Sequence, residues 1–260
     1  MASRKGQTPG TACRFLRLPV VAECGTSGLP AAKAERDPDD REVLRSAVTL
    51  AKRGASQAGI DRMRKIARAG GEHHIARTPD DLDRLEGINW LGVVHADGNG
   101  LGQVFLKFHD YARTTSDDEY VSRLRAFSDA VNAAAEAAFR EALAGVRWGQ
   151  SDDQRAKSLP VVPIVLGGDD LTVVMDGSHA IRFAVDYLAA FERITSADRV
   201  ITPIMKAAYP DTDGRVTACA GVAVVKLHYP FSAAYHLAEE LIQSAKLFAK
   251  SFNPPQSGVD

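Results

Sequence analysis

The tetrapeptide Gly167-Gly168-Asp169-Asp170 separates two apolar runs, residues 159–166 and 171–175. Apolar runs joined by a glycine-rich turn predict a β-hairpin, here with two adjacent carboxylates at its tip. Aspartate is depleted from strands and two like charges so close repel each other, so the pair needs compensation. A divalent cation would supply it. The tetrapeptide taken alone fits a solvated hairpin turn as well as it fits a metal site.

The elements around this hairpin follow the order βαββαβ, which is that of a ferredoxin-like α+β domain. A buried strand ends at a glycine-rich loop, and Ser116 opens a long amphipathic helix. After the hairpin come a helix capped by Ser178, a loop or small insertion over 195–216, a strand over 216–225 and a helix over 232–251. We expect the helices on one side of the sheet, and the first strand in the middle beside the strand that enters the hairpin.

This topology brings a third carboxylate, Asp97, to the hairpin tip. Asp97 ends the first strand in the segment Ala96-Asp97-Gly98-Asn99-Gly100-Leu101-Gly102. Three carboxylates at one edge of a sheet can bind two Mg²⁺ or Mn²⁺ ions, with the Gly98 carbonyl as a further ligand. Two such ions stabilise both the attacking hydroxyl and the leaving pyrophosphate of a displacement at phosphorus. The expected reaction is nucleotidyl transfer from a nucleoside triphosphate.

The glycines near these carboxylates have a separate expected role. Because glycine lets backbone amides approach a phosphate closely, we count as nucleotide-binding the glycines of the loop and of the hairpin, namely Gly98, Gly100, Gly102, Gly167 and Gly168. Asn99 is a candidate contact to a ribose or a phosphate, although turn geometry alone also accounts for an asparagine there.

Four segments resemble, in order, the palm domain of the large subunit of type III CRISPR effector complexes. They are residues 96–102, 167–171, 219–231 and 238–246, and the resemblance covers roughly residues 88–252. In size the chain is closest to stand-alone minimal CRISPR polymerase-like palms, and it is distantly similar to GGDEF diguanylate cyclases. The resemblance implies a palm of the nucleotidyl cyclase or polymerase type.

The resemblance also implies an activity. It places a two-metal site at Asp97, Asp169 and Asp170 that converts ATP to a cyclic or oligomeric nucleotide messenger in antiviral defence. Lys246 falls where palm cyclases place a lysine that contacts the triphosphate. Two palms face each other in such enzymes, so a homodimer or a palm-containing partner is implied.

The chain also departs from the full effector subunit. It has one palm and no His-Asp nuclease motif, so a guide-RNA complex is not expected as a partner. Two other functions stay open: a palm that binds a nucleotide as a sensor without catalysis, and a structural subunit that docks through the sheet at Trp90–Val94.

The expected domain boundaries follow from changes in composition along the chain. Residues 1–86 form a mostly helical and loop extension of unknown role, residues 87–253 form the palm, and residues 254–260 form a tail. Within the extension, a helix is predicted over 41–58 and a short basic helix over 61–69.

Composition argues against several classes of function. The formal net charge of −1 gives no electrostatic reason for broad nucleic-acid binding. No apolar run approaches the roughly 20 residues that span a bilayer, and no apolar export segment follows the N-terminus. A cytoplasmic protein without membrane association is therefore expected.

The three cysteines do not make a disulfide framework, because their number is odd. Cys13 and Cys24 suggest half of a zinc site, with His73 and His74 as candidate partners. Their wide spacing lacks the tight knuckle of structural zinc sites, which argues against zinc. Cys219 lies among alanine and glycine and is expected to be a small buried residue.

Overall fold

A computed structural model of the chain describes residues 21–37, 40–68, 74–76, 78–82, 85, 87–146, 158–249, 251–252 and 256–260. The chain divides into two compact units, Met1–Arg62 and Met63–Asp260. The sheet predicted to carry the three aspartates belongs to the second unit.

The first unit contains an antiparallel hairpin followed by a helix. Strand β1 (Lys33–Arg36) pairs with β2 (Glu42–Arg45), and helix α1 (Ala47–Arg68) starts directly after them. Residues 63–68 of this helix belong to the second unit. Ser46 starts the helix, because its hydroxyl accepts a hydrogen bond from the Thr49 N–H at 3.2 Å.

The two helices predicted in this part of the chain are therefore wrong at their boundaries. Residues 42–45 of the helix predicted over 41–58 form a strand instead, paired with β1. The short helix predicted over 61–69 is the continuation of α1 and not a separate element. Pairing with β1 outweighs the weak helical periodicity of residues 42–45.

The second unit contains the remaining elements. Its described strands are β3 (His74–Ile75), β4 (Trp90–Gly98), β5 (Ser158–Leu159), β6 (Val161–Gly167), β7 (Asp170–Asp176), β8 (Ala218–Lys226) and β9 (Gly258–Val259). Its described helices are α2 (Pro79–Leu82), α3 (Leu101–Leu106), α4 (Phe108–Ala112), α5 (Asp117–Ala144), α6 (Gly177–Ala197), α7 (Ile201–Ala208) and α8 (Phe231–Ala249).

Five of the described strands form one mixed sheet in the order β6-β7-β4-β8-β9. β4 lies between β7 and β8 and is antiparallel to both, which confirms the predicted palm-type α+β fold. β9 pairs in parallel with β8 at the edge, so residues 258–259 of the expected tail are part of the sheet.

The neighbour of β4 differs from the expected one. β4 pairs with β7, the strand that leaves the hairpin, and not with β6, which enters it. The reason is the connection through α5, which leads from β4 to a strand two positions away and leaves room for the returning strand between them.

The sheet is covered on both faces. Val94 and Ala96 of β4 pack in one cluster with residues of α5, α6 and α7. Val93 packs instead with Ala234 and Ala238 of α8. Because neighbouring residues of a strand face opposite sides, α8 lies on the face opposite α5 and α6. The expectation that all helices lie on one side is wrong for α8.

Helix α8 lies very close to β8 at Gly221. A Cβ atom on Gly221 would overlap the carbonyl oxygen of Ala238 and lie 2.6 Å from the backbone nitrogen of Ile242. Only glycine permits this approach, since a real Cβ is not found at such distances. The contact fixes α8 over the sheet and thereby places Lys246, near the end of the helix.

Candidate functional site

The two aspartates of the hairpin lie at a two-residue turn. Gly167 of β6 pairs with Asp170 of β7, so Gly168 and Asp169 form the turn. Gly168 has a φ of 62°, whereas the φ of Asp169 is not positive. This is the type II′ pattern, which matches the twist of the flanking strands and favours glycine at its first position.

The sheet places Asp97 beside the hairpin aspartates. Ala96 of β4 pairs with Leu171 of β7, so Asp97 and Asp170, the next residue on each strand, lie side by side. A Cβ on Gly98 would lie 2.8 Å from the Cβ of Asp169, which shows that the Asp169 side chain lies directly against Gly98. The three carboxylates named from the sequence therefore meet at one edge of the sheet.

The convergence of these carboxylates changes their protonation. Burial, and then the charges of Asp97 and Asp170, raises the pKa of Asp169 from its ordinary value of 3.8 to about 6. Loss of hydration, and then the charge of Asp97, also raises the pKa of Asp170, although His95 and Lys246 oppose this rise. The aspartates thus form a site that disfavours its own negative charge.

A cation from α8 already contacts this site. Lys246 Nζ donates to Asp97 Oδ2 and forms an ion pair with it, and both side chains are partly buried. Asp97 has the same strand parity as Val93 and so faces α8, which explains how Lys246 reaches it. The ammonium group compensates part of the negative charge that the three aspartates bring together.

The donor chemistry of the site fits a hard divalent cation. Carboxylate oxygens are the ligands that Mg²⁺ and Mn²⁺ prefer, and the pKa of Asp169 is raised first by burial and then by the neighbouring charges of Asp97 and Asp170. Among the residues that the structure describes, no three His, Cys, Asp or Glu side chains are arranged as a ready cage for a metal ion. One of the three carboxylates, Asp97, is already paired with Lys246.

The loop after β4 is tied to the segment before β8. The backbone N–H of Asn99 donates to the Thr217 carbonyl at 2.8 Å, and Asn99 Nδ2 donates to Thr217 Oγ1 at 3.1 Å. These bonds give Asn99 a structural role in holding the loop. The sequence predicted a turn or a ligand contact for Asn99. It did not predict the contact with Thr217, because the two residues lie far apart along the chain.

Gly100 begins α3 in the left-handed region, with a φ of 79°. A Cβ there would lie 3.0 Å from Tyr209 Cζ, and the Tyr209 hydroxyl donates to the Gly100 carbonyl at 3.1 Å. Burial raises the pKa of the Tyr209 phenol, which keeps the donor protonated. Gly102, by contrast, is exposed on α3 with open space around it.

A cavity of about 560 Å³ opens beside Lys246 and the Gly100 loop. It lies between α3, α7 and the end of α8, and its lining residues are Asn99, Gly100, Gln103, Met205, Tyr209, Thr212, Asp213, Arg215, Thr217, Lys246 and Ala249. A cavity of this size is within the range of small-molecule sites. Apart from Asn99, Gly100 and Lys246, none of these residues was among the candidates named from the sequence.

One wall of the cavity comes from residues 195–216, a segment expected to be a loop or a small insertion. This segment contains α7, and the side chain of Asp198 caps it by accepting from the N–H groups of Val200 at 2.7 Å and Ile201 at 2.9 Å. The expectation of a loop is therefore wrong for residues 201–208, whereas the alternative of a small insertion is not contradicted. The three- and four-residue spacing of Ile201, Ile204 and Met205, all buried, is the signal that identifies this helix.

Two of the four cysteine and histidine candidates for a zinc site can be located in the structure. Cys13 and His73 lie outside the described residues. Cys24 is a free buried thiol, 3.5 Å from Thr49 Oγ1, and His74 belongs to β3. Cys219 is free and fully buried, as expected from its neighbours.

Comparison with known proteins gives a family match over most of the palm. The family model described as Cas10/Cmr2, second palm domain, matches residues 90–251, which is more than half of the chain. No curated protein matches the chain. Within the described residues, no helix has the length and apolar character needed to cross a membrane.

Several solved structures show a remote likeness. A Csm1-Csm4 cassette in complex with pppApA is 15% identical, with a TM-score of 0.41, over 72% of this chain and 21% of that one. A Csm1-Csm4 cassette in complex with cA4 is 14% identical, with a TM-score of 0.39, over 84% of this chain and 24% of that one. Csm1 in T. onnurineus is 18% identical, with a TM-score of 0.40, over 72% of this chain and 21% of that one. The chain thus spans less than a quarter of the length of these proteins.

Proposed function

This chain belongs to the family of the second palm domain of Cas10/Cmr2, the palm of the type III CRISPR effector large subunit, and on that premise we propose that it is a nucleotidyltransferase. Its substrate is a nucleoside triphosphate, with ATP the first candidate, and its product is a cyclic or oligomeric nucleotide messenger in antiviral defence.

The observation that carries this proposal is the convergence of Asp97, Asp169 and Asp170 at one sheet edge, beside Lys246 and an open cavity. A solvated hairpin turn would need neither the third carboxylate nor the cavity. The raised pKa of Asp169 further supports a site built to receive positive charge, because an isolated surface aspartate has no such shift.

Asp97, Asp169 and Asp170 would hold Mg²⁺ or Mn²⁺, with the Gly98 carbonyl as a further oxygen ligand. When bound, two such ions supply stabilisation of the attacking hydroxyl and of the leaving pyrophosphate. In the reaction a ribose hydroxyl forms an ester bond to the α-phosphorus, and the bond between the α- and β-phosphates breaks.

The nucleotide would lie across the loop after β4 and in the cavity. Lys246 lines the cavity and also contacts Asp97, so its ammonium group can reach a triphosphate that bridges the two. The hydrogen bond from Tyr209 to the Gly100 carbonyl orients the loop, and the backbone amides of Gly100 and Gly102 are its candidate donors to phosphate oxygens.

A second palm would complete the reaction. One palm binds one triphosphate, and the hydroxyl that attacks it must come from a second nucleotide held opposite. We therefore include in the proposal a homodimer, or a partner that contains a palm. Csm1-Csm4 cassettes, which contain much longer chains, have been solved in complex with pppApA and with cA4.

A second candidate function is nucleotide binding without chemistry. It is favoured by the contact of Lys246 with Asp97 and by the lack, among described residues, of a group already arranged to hold a metal ion. A sensor or a structural palm would keep this ion pair and use the cavity alone.

One experiment separates the two functions. The full chain is incubated with Mn²⁺ or Mg²⁺ and each nucleoside triphosphate, and pyrophosphate release and product mass are measured. Binding of a non-hydrolysable ATP analogue is measured in parallel. The variant Asp170→Asn should abolish product, whereas Asp129→Asn, an exposed carboxylate on α5, is the matched control. Binding without product supports the second candidate, and neither binding nor product contradicts both.

A further inference from the structure

The two residues at the tip of the hairpin lie outside the strand pairing of the sheet. The pairing of β6 with β7 ends at Gly167 and Asp170, and the two turn residues Gly168 and Asp169 project past it. The carboxylates of Asp97, Asp169 and Asp170 lie close together at this tip, and ionised carboxylates repel one another at short range. Something outside the strands must hold the turn if its carboxylates are to keep a defined position.

The structure provides such a contact from α5. The Gly168 N–H donates to Asn132 Oδ1 at 3.3 Å. A Cβ on Gly167 would lie 3.8 Å from the same oxygen, so the amide of Asn132 lies against the whole turn. Asn132 is half-buried, and Val131 and Ala135 on the same helix are buried in the core.

A second hydrogen bond fixes the orientation of this amide. Asn132 Nδ2 donates to Glu136 Oε1 at 3.2 Å, one helical turn further along α5. If the amide were rotated by half a turn, its NH₂ group would face the Gly168 N–H, and two donors would oppose each other. Glu136 therefore selects the orientation in which Asn132 accepts from the turn.

Helix α5 is a rigid support for this contact. It runs from Asp117 to Ala144, Ser116 caps it by accepting from the Glu119 N–H, and its inner face is fully buried against the core. A side chain on such a helix holds its target more precisely than one on a loop.

We propose that Asn132 is a positioning residue for the cation site: by anchoring the Gly168 N–H to α5, it holds Asp169 and Asp170 at the place where they bind a divalent cation. This inference rests on the proposed function for the identity of the ligand, a divalent cation, but the anchoring itself does not. Partners that orient metal ligands typically change metal affinity by about 10- to 100-fold when removed.

The test measures Mn²⁺ binding to the full chain by calorimetry or by electron paramagnetic resonance, with no nucleotide present. We expect Asn132→Ala to weaken Mn²⁺ affinity by about 10-fold, at the lower end of the range for orienting partners. Ser128→Ala, which truncates an exposed polar side chain on the same helix, should leave affinity unchanged.

A double variant tests the hydrogen-bond geometry and not only the presence of a side chain. In Asn132→Asp with Glu136→Gln, the carboxylate accepts from both the Gly168 N–H and the new glutamine amide, at the same net charge as the native pair. We expect it to restore Mn²⁺ affinity to within about threefold of the native value, which is small against the loss from removing an orienting partner. This variant also keeps the proposal testable if Asn132→Ala fails to fold.

A second readout does not depend on the cation. The Gly168 amide should exchange its hydrogen with solvent at least about 10-fold faster in Asn132→Ala than in the native protein, since its acceptor is gone. Native Mn²⁺ affinity together with unchanged exchange in Asn132→Ala would overturn the proposal. If the native protein binds no Mn²⁺, the proposed function fails. In that case Asn132 does not position a cation ligand, even if the Gly168 amide exchanges faster in Asn132→Ala.

Discussion

Replacement of Asp169 by asparagine is expected to stabilise the metal-free protein at neutral pH. Burial, followed by the charges of Asp97 and Asp170, raises the pKa of Asp169 from 3.8 to about 6. A rise of this size corresponds to about 3 kcal/mol. Because the carboxylate is partly exposed and solvent screens its interactions, we expect about 1–2 kcal/mol of this to appear in the free energy of unfolding.

The sign of the pH dependence follows from the raised pKa. Below about pH 4, Asp169 is protonated in both the folded and the unfolded protein, and its ionisation does not oppose folding. As the pH rises through 6, the folded protein must ionise a carboxyl that the unfolded chain has already ionised at lower pH, so this contribution to stability is lost. Asparagine carries no charge, so the advantage of Asp169→Asn is full above about pH 7 and small near pH 4.

Urea unfolding and thermal unfolding in the presence of a chelator measure this effect. At about pH 7.5 we expect Asp169→Asn to gain about 1–2 kcal/mol, which corresponds to a rise in Tm of about 2–8 °C. Saturating Mn²⁺ should remove the gain, because the cation neutralises the native carboxylates.

The control is Asp129→Asn, an exposed carboxylate on α5, which should change stability at neither pH. A variant at position 169 that is less stable than the native protein at neutral pH would refute the reasoning from burial and charge repulsion. An equal gain at acidic and at neutral pH would do the same, because the repulsion exists only when the carboxyl is ionised.

Three further outcomes follow from the structure. Lys246→Met should tighten Mn²⁺ binding by about threefold or more in calorimetry without nucleotide, because it removes the ammonium group paired with Asp97. The same variant should weaken binding of an ATP analogue. If the Mn²⁺ affinity and the ATP-analogue affinity change in the same direction, the ion-pair argument is contradicted. Gly221→Ala should lose about 3 kcal/mol in urea unfolding because its Cβ would meet the backbone of α8, whereas Gly102→Ala, with open space around it, should lose nothing. Gln103 is an exposed residue that lines the cavity, so Gln103→Trp should fill part of the cavity and weaken ATP-analogue binding about 10-fold without a change in Tm. An unchanged affinity for the ATP analogue would exclude the cavity as the nucleotide site.

The main elements of the palm could be predicted because their signals are local. The hairpin follows from two apolar runs around Gly167-Gly168, and the turn indeed begins with a glycine at positive φ. Helix α5 begins after Ser116, as predicted, because the cap and the acidic first turn are adjacent in sequence. Helix α6 begins at Gly177, one residue before the predicted cap Ser178.

The placement of α8 could also have been found, but only from a different signal. Strands that face solvent on one side alternate apolar and polar residues, whereas β8 reads Ala218-Cys219-Ala220-Gly221-Val222-Ala223-Val224-Val225. A strand that is apolar on both faces must be covered on both. Helix α8 provides the second cover, with Ala238 and Ile242 against β8.

The sequence by itself determined that three carboxylates meet, because the order of strands and helices brings the end of β4 and the tip of the hairpin to one edge of the sheet. Only the tertiary structure decided what surrounds them: Lys246 on Asp97, Asn132 on the turn, and Tyr209 beside the loop. The physical reason is that topology is set by short-range patterns of apolar and turn residues. The other contacts join single side chains on elements far apart in sequence, and no local pattern records such pairs.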